Sequence, residues 1–306
     1  LMFLVLVAVP IVAFCNLNLP DSATFWNEVS KYGKNHLNIF YDQTFLSILG
    51  LMAWGLGYFG QPHIIVRFMA IRSSKELAQA RRIGIGWMAI GLVGAMMSGL
   101  VGFVYYSELN LPLADPEKVF LQLGETLFHP FFVGIIISAV LSAIMSTISS
   151  QLLVSASSVT QDFVFAFYKK EISQKAQVAA GRYAVVAVAL VATALAFSFN
   201  ESVLNVVGYA WAGFGASFGP VLLFSLYWRR MSALAALLGM ITGGATVIAW
   251  IALGLNSYVY EILPGFAVSC VVIYLTSLYG DAIDKMSNEP NSATVQDEFE
   301  KMKTRL

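Results

Sequence analysis

Charged side chains are scarce in this chain of 306 residues. Lysine and arginine together number 18, aspartate and glutamate also number 18, and these residues make up 12% of the chain and leave no net charge. Soluble domains carry about 25% charged residues. A chain without excess positive charge also lacks the electrostatic footprint of a nucleic-acid-binding protein. The composition therefore argues against a soluble domain and against nucleic acid as a partner.

Cysteine and histidine are nearly absent. Cys15 and Cys270 each lie in an apolar stretch without metal-ligand spacing or a disulfide framework, so we expect two buried free thiols. His36, His63 and His129 are scattered and form no metal constellation. The sequence contains no HExxH motif, no pair of aspartates within an apolar segment, and no serine–histidine pair with an orienting acid. These absences predict that the protein is not an enzyme.

Long apolar runs dominate what remains, since 58% of the residues are hydrophobic against about 45–50% in soluble domains. A helix needs roughly 20 largely apolar residues to cross a bilayer. Eight segments meet this description: 1–16, 44–70, 83–106, 127–166, 180–198, 202–228, 232–254 and 260–280. The sequence therefore predicts an all-α membrane protein with eight transmembrane helices and a lipid bilayer as its solvent.

Basic residues are concentrated in alternate connections, which predicts the orientation. One set of loops and the C-terminal tail carry Arg72, Lys75, Arg81, Arg82, Lys169, Lys170, Lys175, Arg182, Arg229, Arg230, Lys285, Lys301, Lys303 and Arg305. The other loops hold Lys31, Lys34 and Lys118. We therefore expect a multi-pass protein of the cell membrane with both ends of this chain in the cytoplasm.

The connections on the opposite side are longer. Residues 17–43 contain proline, aspartate and aromatic residues and are expected to form an extracellular loop. Residues 107–126 include the amphipathic stretch from Lys118 to Leu123, which predicts a short interfacial helix.

A stripe of hydroxyl side chains runs along the fourth apolar segment. At about 100° per residue the following side chains share one third of the helix circumference: Ser138, Ser142, Ser146, Ser149, Ser150, Ser157 and Thr160. Within a bilayer such a stripe must face another helix, a cavity or an ion.

Ser146 of this stripe and the adjacent Thr147 form the sharpest pair. Their hydroxyls lie one helical turn from the carbonyl of Ala143, so three neutral oxygens share a small arc. Hard cations take oxygen ligands, and Na⁺ suits neutral oxygens because little charge needs to be cancelled. The alternative is that each hydroxyl bonds back to the preceding turn.

The second apolar segment cannot form a regular helix. Gly55, Gly57, Gly60 and Pro62 lie within eight residues; glycine costs about 1 kcal/mol and proline about 3 kcal/mol inside a helix. The glycines spell G-x-G-x-x-G, but no strand precedes them and no acidic residue follows at the ribose position, so a dinucleotide site is not indicated. Broken membrane helices occur where the freed backbone lines a cavity or a ligand. Close helix packing through small residues is the alternative.

Trp54 and Tyr58 are four positions apart and share one face of this segment. They could cover an apolar ring or a cation, or serve as interfacial anchors and core residues.

In the sixth segment, Gly215 and Gly219 form a small-xxx-small face beside Pro220, which indicates either close packing or a flexing helix.

Three stretches carry a family resemblance: WGLGYFGQPHI at 54–64, SAVLSAIMSTISSQLL at 138–153 and YAWAGFGASFGP at 209–220. They resemble the sodium:solute symporter family, and the first two resemble its proline branch in particular. The resemblance runs from the first helix nearly to the tail. The Ser–Thr pair alone marks only the wider family.

The resemblance implies a core of two inverted five-helix repeats, of which this chain lacks most of the first. Residues 1–16 would be the last helix of the first repeat, 17–43 an extracellular loop, and 44–228 the second repeat. Residues 229–282 would be two additional C-terminal helices and 283–306 a cytoplasmic tail. The absence of an initiator methionine gives the same expectation of a C-terminal piece, whose partner would be the missing N-terminal helices of the same transporter.

The resemblance also implies sodium-coupled import of L-proline. By position, the sodium ion would be bound by the Ala143 carbonyl, Ser146 and Thr147. L-proline would bind at Trp54, Gly57, Tyr58 and Pro62, with Gly57 in the unwound segment.

Other functions remain open at this stage. Within the transporter class the solute could be pantothenate or another amino acid. A symporter-like membrane sensor is the alternative from another class, and the short tail argues against it because no kinase domain follows. A membrane-embedded enzyme ranks third because catalytic groups are missing.

Overall fold

The computed structural model describes residues 1–17, 19, 22–31, 38, 40–109, 115–165, 173–198 and 202–287. Within these ranges the chain forms eleven α-helices and no β-strand. The helices are α1 (Met2–Asn16), α2 (Ser22–Lys31), α3 (Phe45–Gly57), α4 (Pro62–Met69), α5 (Ser74–Glu108), α6 (Val119–Leu127), α7 (Pro130–Ser157), α8 (Gln174–Ala196), α9 (Val203–Tyr227), α10 (Ala233–Ala252) and α11 (Ile262–Ser287). The all-α prediction is confirmed for these ranges.

Within the described ranges, six helices are long and apolar enough to cross a membrane. They are Lys75–Glu108, Pro130–Phe163, Gln174–Ala196, Val203–Tyr227, Ala233–Ala252 and Ile262–Tyr279. The other two predicted segments correspond to shorter apolar helices, Met2–Asn16 and Phe45–Gly60. The chain is thus a multi-pass membrane protein, with six spans supported by length and composition where the sequence predicted eight.

Three helices start directly after a residue with a hydroxyl side chain, close to the predicted positions. Thr44, Ser202 and Ser232 are the N-caps of α3, α9 and α10, and each side-chain oxygen accepts a hydrogen bond from the backbone amide three residues later, at 3.2–3.3 Å. Such caps satisfy amides that have no partner within the helix. Local sequence therefore decides where these helices start.

The segment predicted as an extracellular loop contains a helix that the sequence analysis did not predict. In α2, Phe25 and Val29 are four positions apart and almost fully buried, so they share the face that packs into a core. The connection at 107–126 contains a short helix, as predicted, since α6 follows a 3₁₀ turn at Pro116–Lys118 that Asp115 caps.

The fourth predicted segment forms one long helical rod. The α-helix α7 continues as a π-helical stretch, Ser158–Phe165. The apolar span of 34 residues would be about 50 Å long at 1.5 Å per residue, against a hydrocarbon core of about 30 Å. The helix is therefore long enough to tilt or to project beyond the bilayer.

The chain folds into two compact units. The first comprises Leu1–Tyr41 and Lys75–Ala189, and the second comprises Asp42–Ser74 and Leu190–Leu306. In the first unit the buried face of α1 carries Val5, Val9 and Ala13, which join a core with α2, α5, α6 and α7. Cys15 is exposed, contrary to the expectation of a buried thiol, because it lies on the other side of α1 from that face.

Small residues allow close helix packing in the second unit. A Cβ atom at Gly265 would lie 2.8 Å from the Ala216 side chain and 3.1 Å from the Gly243 carbonyl. The Ser269 hydroxyl donates a hydrogen bond of 2.9 Å to the Gly239 carbonyl. Glycine and serine at helix contacts are typical of membrane bundles, where no hydrophobic effect drives the helices together.

Several predictions fall on residues outside the described ranges. They concern the loop residues Lys34 and His36, the basic residues Lys169 and Lys170, and most of the predicted tail, 288–306. Residues 283–287, the start of that tail, continue α11.

Candidate functional site

The predicted interruption of the second apolar segment is present in the structure. Helix α3 ends at Gly57, a 3₁₀ turn follows at Tyr58–Gly60, and α4 restarts at Pro62. Gln61 between them has extended dihedral angles, φ −85° and ψ 110°. Proline disfavours the helical conformation of the residue before it and is well suited to the first position of a helix. The break thus follows from local sequence.

A tryptophan from α9 satisfies part of the freed backbone. The Trp211 indole Nε1 donates a hydrogen bond of 2.9 Å to the Trp54 carbonyl, which is among the last four carbonyls of α3 and has no partner within that helix. The Gln61 side chain is buried, and its amide donates a long hydrogen bond of 3.4 Å to the Trp211 carbonyl. Helix α9 therefore holds both sides of the break.

Aromatic rings surround the interruption. Trp54 stacks on Tyr260 with centroids 5.4 Å apart and lies 6.2 Å from Trp211. Tyr58 meets Trp211 edge-on at 4.9 Å and remains 46% exposed. Trp54 and Tyr58 therefore both contact Trp211, which agrees with the shared face that their spacing predicted. Pro62 is half-buried where α4 begins.

Gly57 differs from the expectation that it would belong to the unwound segment. It has helical dihedral angles, φ −62° and ψ −28°, and is the last residue of α3. A Cβ atom at this position would collide with the Trp211 indole ring, and a Cβ at Gly215 would lie 2.8 Å from the Gly57 Cα. The prediction was wrong because this glycine is needed for close approach of α3 to α9, so the unwinding starts after it. The small-xxx-small face of α9 likewise serves close packing.

The candidate sodium ligands lie together on α7 in the first unit. The Ser146 hydroxyl donates to the Ala143 carbonyl at 2.8 Å, and the Thr147 hydroxyl donates to the same oxygen at 3.3 Å. Both side chains are exposed within this chain. Three neutral oxygens therefore lie close together, as the spacing predicted. Both hydroxyl hydrogens bond back to the preceding turn, as the alternative interpretation predicted. The lone pairs of both hydroxyls stay free to face a cation.

Four other hydroxyls of the stripe bond back to the helix, those of Ser142, Ser149, Ser150 and Thr160. Ser142 donates to the Ser138 carbonyl and Ser149 to the Met145 carbonyl, both at 2.7 Å. Buried Thr160 donates to the Ala156 carbonyl at 2.8 Å. Each of these hydroxyls uses a carbonyl of its own, whereas Ser146 and Thr147 share one.

Three residues around the break were not predicted from sequence. Trp211 and Tyr260 complete the aromatic cluster, and Glu261 is 2% exposed beside Tyr260. Glu261 could have been recognised as an acidic residue directly before the apolar span that starts at Ile262, a position where a charge is costly unless it has a use. The two aromatic residues gave no comparable signal.

Comparison with known proteins gives a family match over most of the chain. The profile of the sodium:solute symporter family matches residues 1–243. No solved structure matches the chain.

Curated relatives cover nearly all of this chain. It is 50% identical over 282 residues to the high-affinity proline transporter PutP of Bacillus subtilis, which covers 92% of this chain and 59% of the relative. It is 46% identical to the osmoregulated proline transporter OpuE of the same organism (91% of this chain, 56% of the relative). It is 48% identical to sodium/proline symporter 2 of Staphylococcus saprophyticus, with the same shares covered. The chain thus spans somewhat more than half the length of these relatives.

Proposed function

This chain belongs to the sodium:solute symporter family, and we propose that it forms part of a symporter that carries L-proline into the cell together with Na⁺. The observation that carries the proposal is the interrupted helix between Phe45 and Met69, ringed by aromatic side chains. An irregular backbone inside a membrane protein is tolerated where it lines a cavity or meets a ligand. The names of three relatives, which all mention proline, favour this solute.

We place L-proline at the break. The apolar pyrrolidine ring would pack against Trp54 and Tyr58, and the exposed part of Tyr58 would lie towards the substrate. Gly57 would let α3 approach α9, and Pro62 would restart the helix so that the freed backbone groups stay available. In this assignment Trp211 is a positioning residue because it acts through the Trp54 carbonyl.

We place Na⁺ at the three oxygens of α7. On binding, the hydroxyls of Ser146 and Thr147 would turn their hydrogens away from the Ala143 carbonyl, so that all three oxygens present lone pairs to the ion. Ligands from the rest of the transporter would complete its coordination. If Na⁺ favours the conformation that binds proline, proline must favour Na⁺ binding by the same free energy.

The membrane arrangement is part of the proposal. We propose eight spans, with 44–228 as the second inverted repeat, 229–282 as two additional helices and both ends of the chain in the cytoplasm. Because the chain spans between 56 and 59% of its relatives, transport is assigned to the chain together with the further N-terminal helices that would complete the first repeat.

Uptake of labelled L-proline tests the proposal. Vesicles that contain the complete transporter should take up proline when Na⁺ is present outside and should stop when Na⁺ is replaced by K⁺. Excess unlabelled proline should compete, and excess unlabelled pantothenate should not. Sodium-independent uptake, or competition by pantothenate alone, would contradict the proposal.

A further inference from the structure

A cavity of about 490 Å³ lies within the second unit. The first turns of α3, the first turns of α9 and the connection between α10 and α11 line this open cavity, and Trp54 lies on its wall. Its volume falls within the range of about 300–1,000 Å³ that small-molecule sites occupy. The proposed orientation places it at the extracellular end of these helices.

The cavity is acidic and lacks a basic counterpart. Asp42 and Glu261 line it, and the described residues of its lining include no lysine, arginine or histidine. Glu261 is 98% buried, with 2% of its surface exposed. A buried carboxylate is costly unless a cation neutralises it. Burial accordingly raises the pKa of Glu261, although its own backbone amide lowers it in part.

The wall next to Glu261 is held in place by hydrogen bonds from aromatic side chains. The Tyr260 hydroxyl donates to the Gly208 carbonyl at 2.9 Å, and the Trp250 indole donates to the Val259 carbonyl at 3.0 Å. These bonds fix the connection before α11 and therefore the backbone that carries Glu261.

The remaining lining combines polar and apolar side chains. Leu51 and Tyr258 are 63% and 75% exposed and line the cavity together with Leu46, Leu204 and Val259. A ligand that satisfies both features has one positive group for the carboxylate and a short aliphatic body for the wall. Small organic ammonium ions have this composition.

We propose that this cavity is an outer binding site for a small organic ammonium group and that Glu261 is the residue that recognises it. The ammonium would be that of the incoming amino acid, so this assignment rests on the proposed function. Glu261 then selects for amines before the solute reaches the interrupted helix, and the buried carboxylate obtains its counter-charge from the cargo.

Protection of an introduced cysteine tests the site independently of transport. In the complete transporter, Asn256→Cys places a thiol in the cavity lining, and its rate of modification by a neutral maleimide is measured. Pyrrolidinium, the ammonium part of proline without its carboxylate, should slow the reaction. Adding Glu261→Gln should raise the protecting concentration about tenfold, because the amide keeps the shape and loses the charge. Tetrahydrofuran-2-carboxylate, which lacks the amine, should not protect.

A second variant keeps the test valid if Glu261→Gln does not fold. Ser257→Lys introduces a cation at an exposed lining position and should weaken protection to a similar extent. Leu253→Lys adds the same charge at an exposed position outside the lining. This variant should change the protecting concentration of pyrrolidinium by less than twofold.

Three results would overturn the proposal: no protection by pyrrolidinium, equal protection in the Glu261→Gln or Ser257→Lys protein, or equal protection by NaCl at the same ionic strength. Loss of sodium-dependent proline uptake without loss of pyrrolidinium protection would instead contradict the proposed function and leave the ammonium site standing.

Discussion

At the scale of single residues, the arrangement of oxygens on α7 distinguishes two hydroxyls from their neighbours. Ser146 and Thr147 donate to one carbonyl, that of Ala143. Ser149, only a few positions away, donates to the separate carbonyl of Met145. A shared carbonyl concentrates three acceptor oxygens in one place, which is the chemistry that a hard cation requires.

Replacing Ser146 and Thr147 together with alanine should therefore weaken sodium dependence. We expect the Na⁺ concentration for half-maximal proline uptake by the complete transporter to rise at least about tenfold, which corresponds to about 1.4 kcal/mol. The variant Ser149→Ala removes a hydroxyl from the same helix and should leave the sodium requirement unchanged. An unaltered requirement in the double variant would exclude this site.

Glu261 gives a prediction for the dependence of stability on pH. Burial raises its pKa above the ordinary value of 4.5, so the folded state favours the protonated form. The stability contributed by the neutral carboxyl is complete below 4.5 and is lost as the pH rises through the raised pKa. We expect Glu261→Gln to have a higher Tm than the parent at pH 8, and the difference to shrink towards pH 4.

Thermal unfolding of the complete transporter in detergent at both pH values measures this effect. Glu108→Gln changes an exposed carboxylate at the end of α5 and serves as the control. If Glu261→Gln had a lower Tm at pH 8, the carboxylate would be stabilised by a partner and not penalised by burial.

At the scale of elements, the interruption between α3 and α4 combines two roles that sequence reasoning treated as alternatives. The backbone is irregular from Tyr58 to Gln61. Gly57 before the turn and Gly60 at its end also pack closely against α9. A Cβ at Gly60 would collide with the Phe214 carbonyl, as a Cβ at Gly57 would collide with the Trp211 ring. The break therefore depends on α9 for its shape.

Gly57→Ala and Gly55→Ala form a matched pair that separates packing from helix propensity. A Cβ at Gly55 has no neighbour within 4 Å, so alanine there should be neutral or stabilising by up to about 1 kcal/mol. At Gly57 the added methyl group overpacks the contact with Trp211, which typically costs about 1–3 kcal/mol.

Thermal unfolding and proline binding of the two variants measure this difference. We expect Gly57→Ala to lower both Tm and proline affinity, and Gly55→Ala to lower neither. Equal loss in both variants would mean that any extra methyl group in this helix disturbs the protein.

At the scale of the whole molecule, the proposed coupling to Na⁺ would set a limit on proline accumulation. A membrane potential of 100 mV contributes about 2.3 kcal/mol per charge, and a tenfold sodium gradient contributes about 1.4 kcal/mol. With one Na⁺ per proline, the complete transporter should accumulate proline roughly 500-fold.

The steady-state ratio of labelled proline across proteoliposomes measures this limit. Removing the sodium gradient and keeping the potential should reduce the ratio tenfold, to about 50-fold. An ionophore that dissipates both gradients should abolish accumulation. A ratio that does not respond to the potential would contradict net transfer of positive charge with proline.

Much of the architecture follows from sequence because it depends on short stretches of chain. The lengths of the apolar segments predicted the long helices, Thr44, Ser202 and Ser232 mark three helix starts, and the spacing of glycines with Pro62 predicted the break. Each of these signals acts over a few residues through hydrogen bonding, propensity or hydrophobic length. The convergence of Ser146 and Thr147 on one carbonyl is equally local, since it spans a single helical turn.

Contacts between distant parts of the chain could be decided only by the tertiary structure. The Trp211–Trp54 hydrogen bond joins residues 157 positions apart, and the position of that indole ring leaves no space for a side chain at Gly57. The burial of Phe25 in α2 and of Glu261 beside Tyr260 likewise depends on neighbours from other helices. Sequence periodicity shows which face of a helix is apolar, but the helix that covers it is selected by packing over the whole unit.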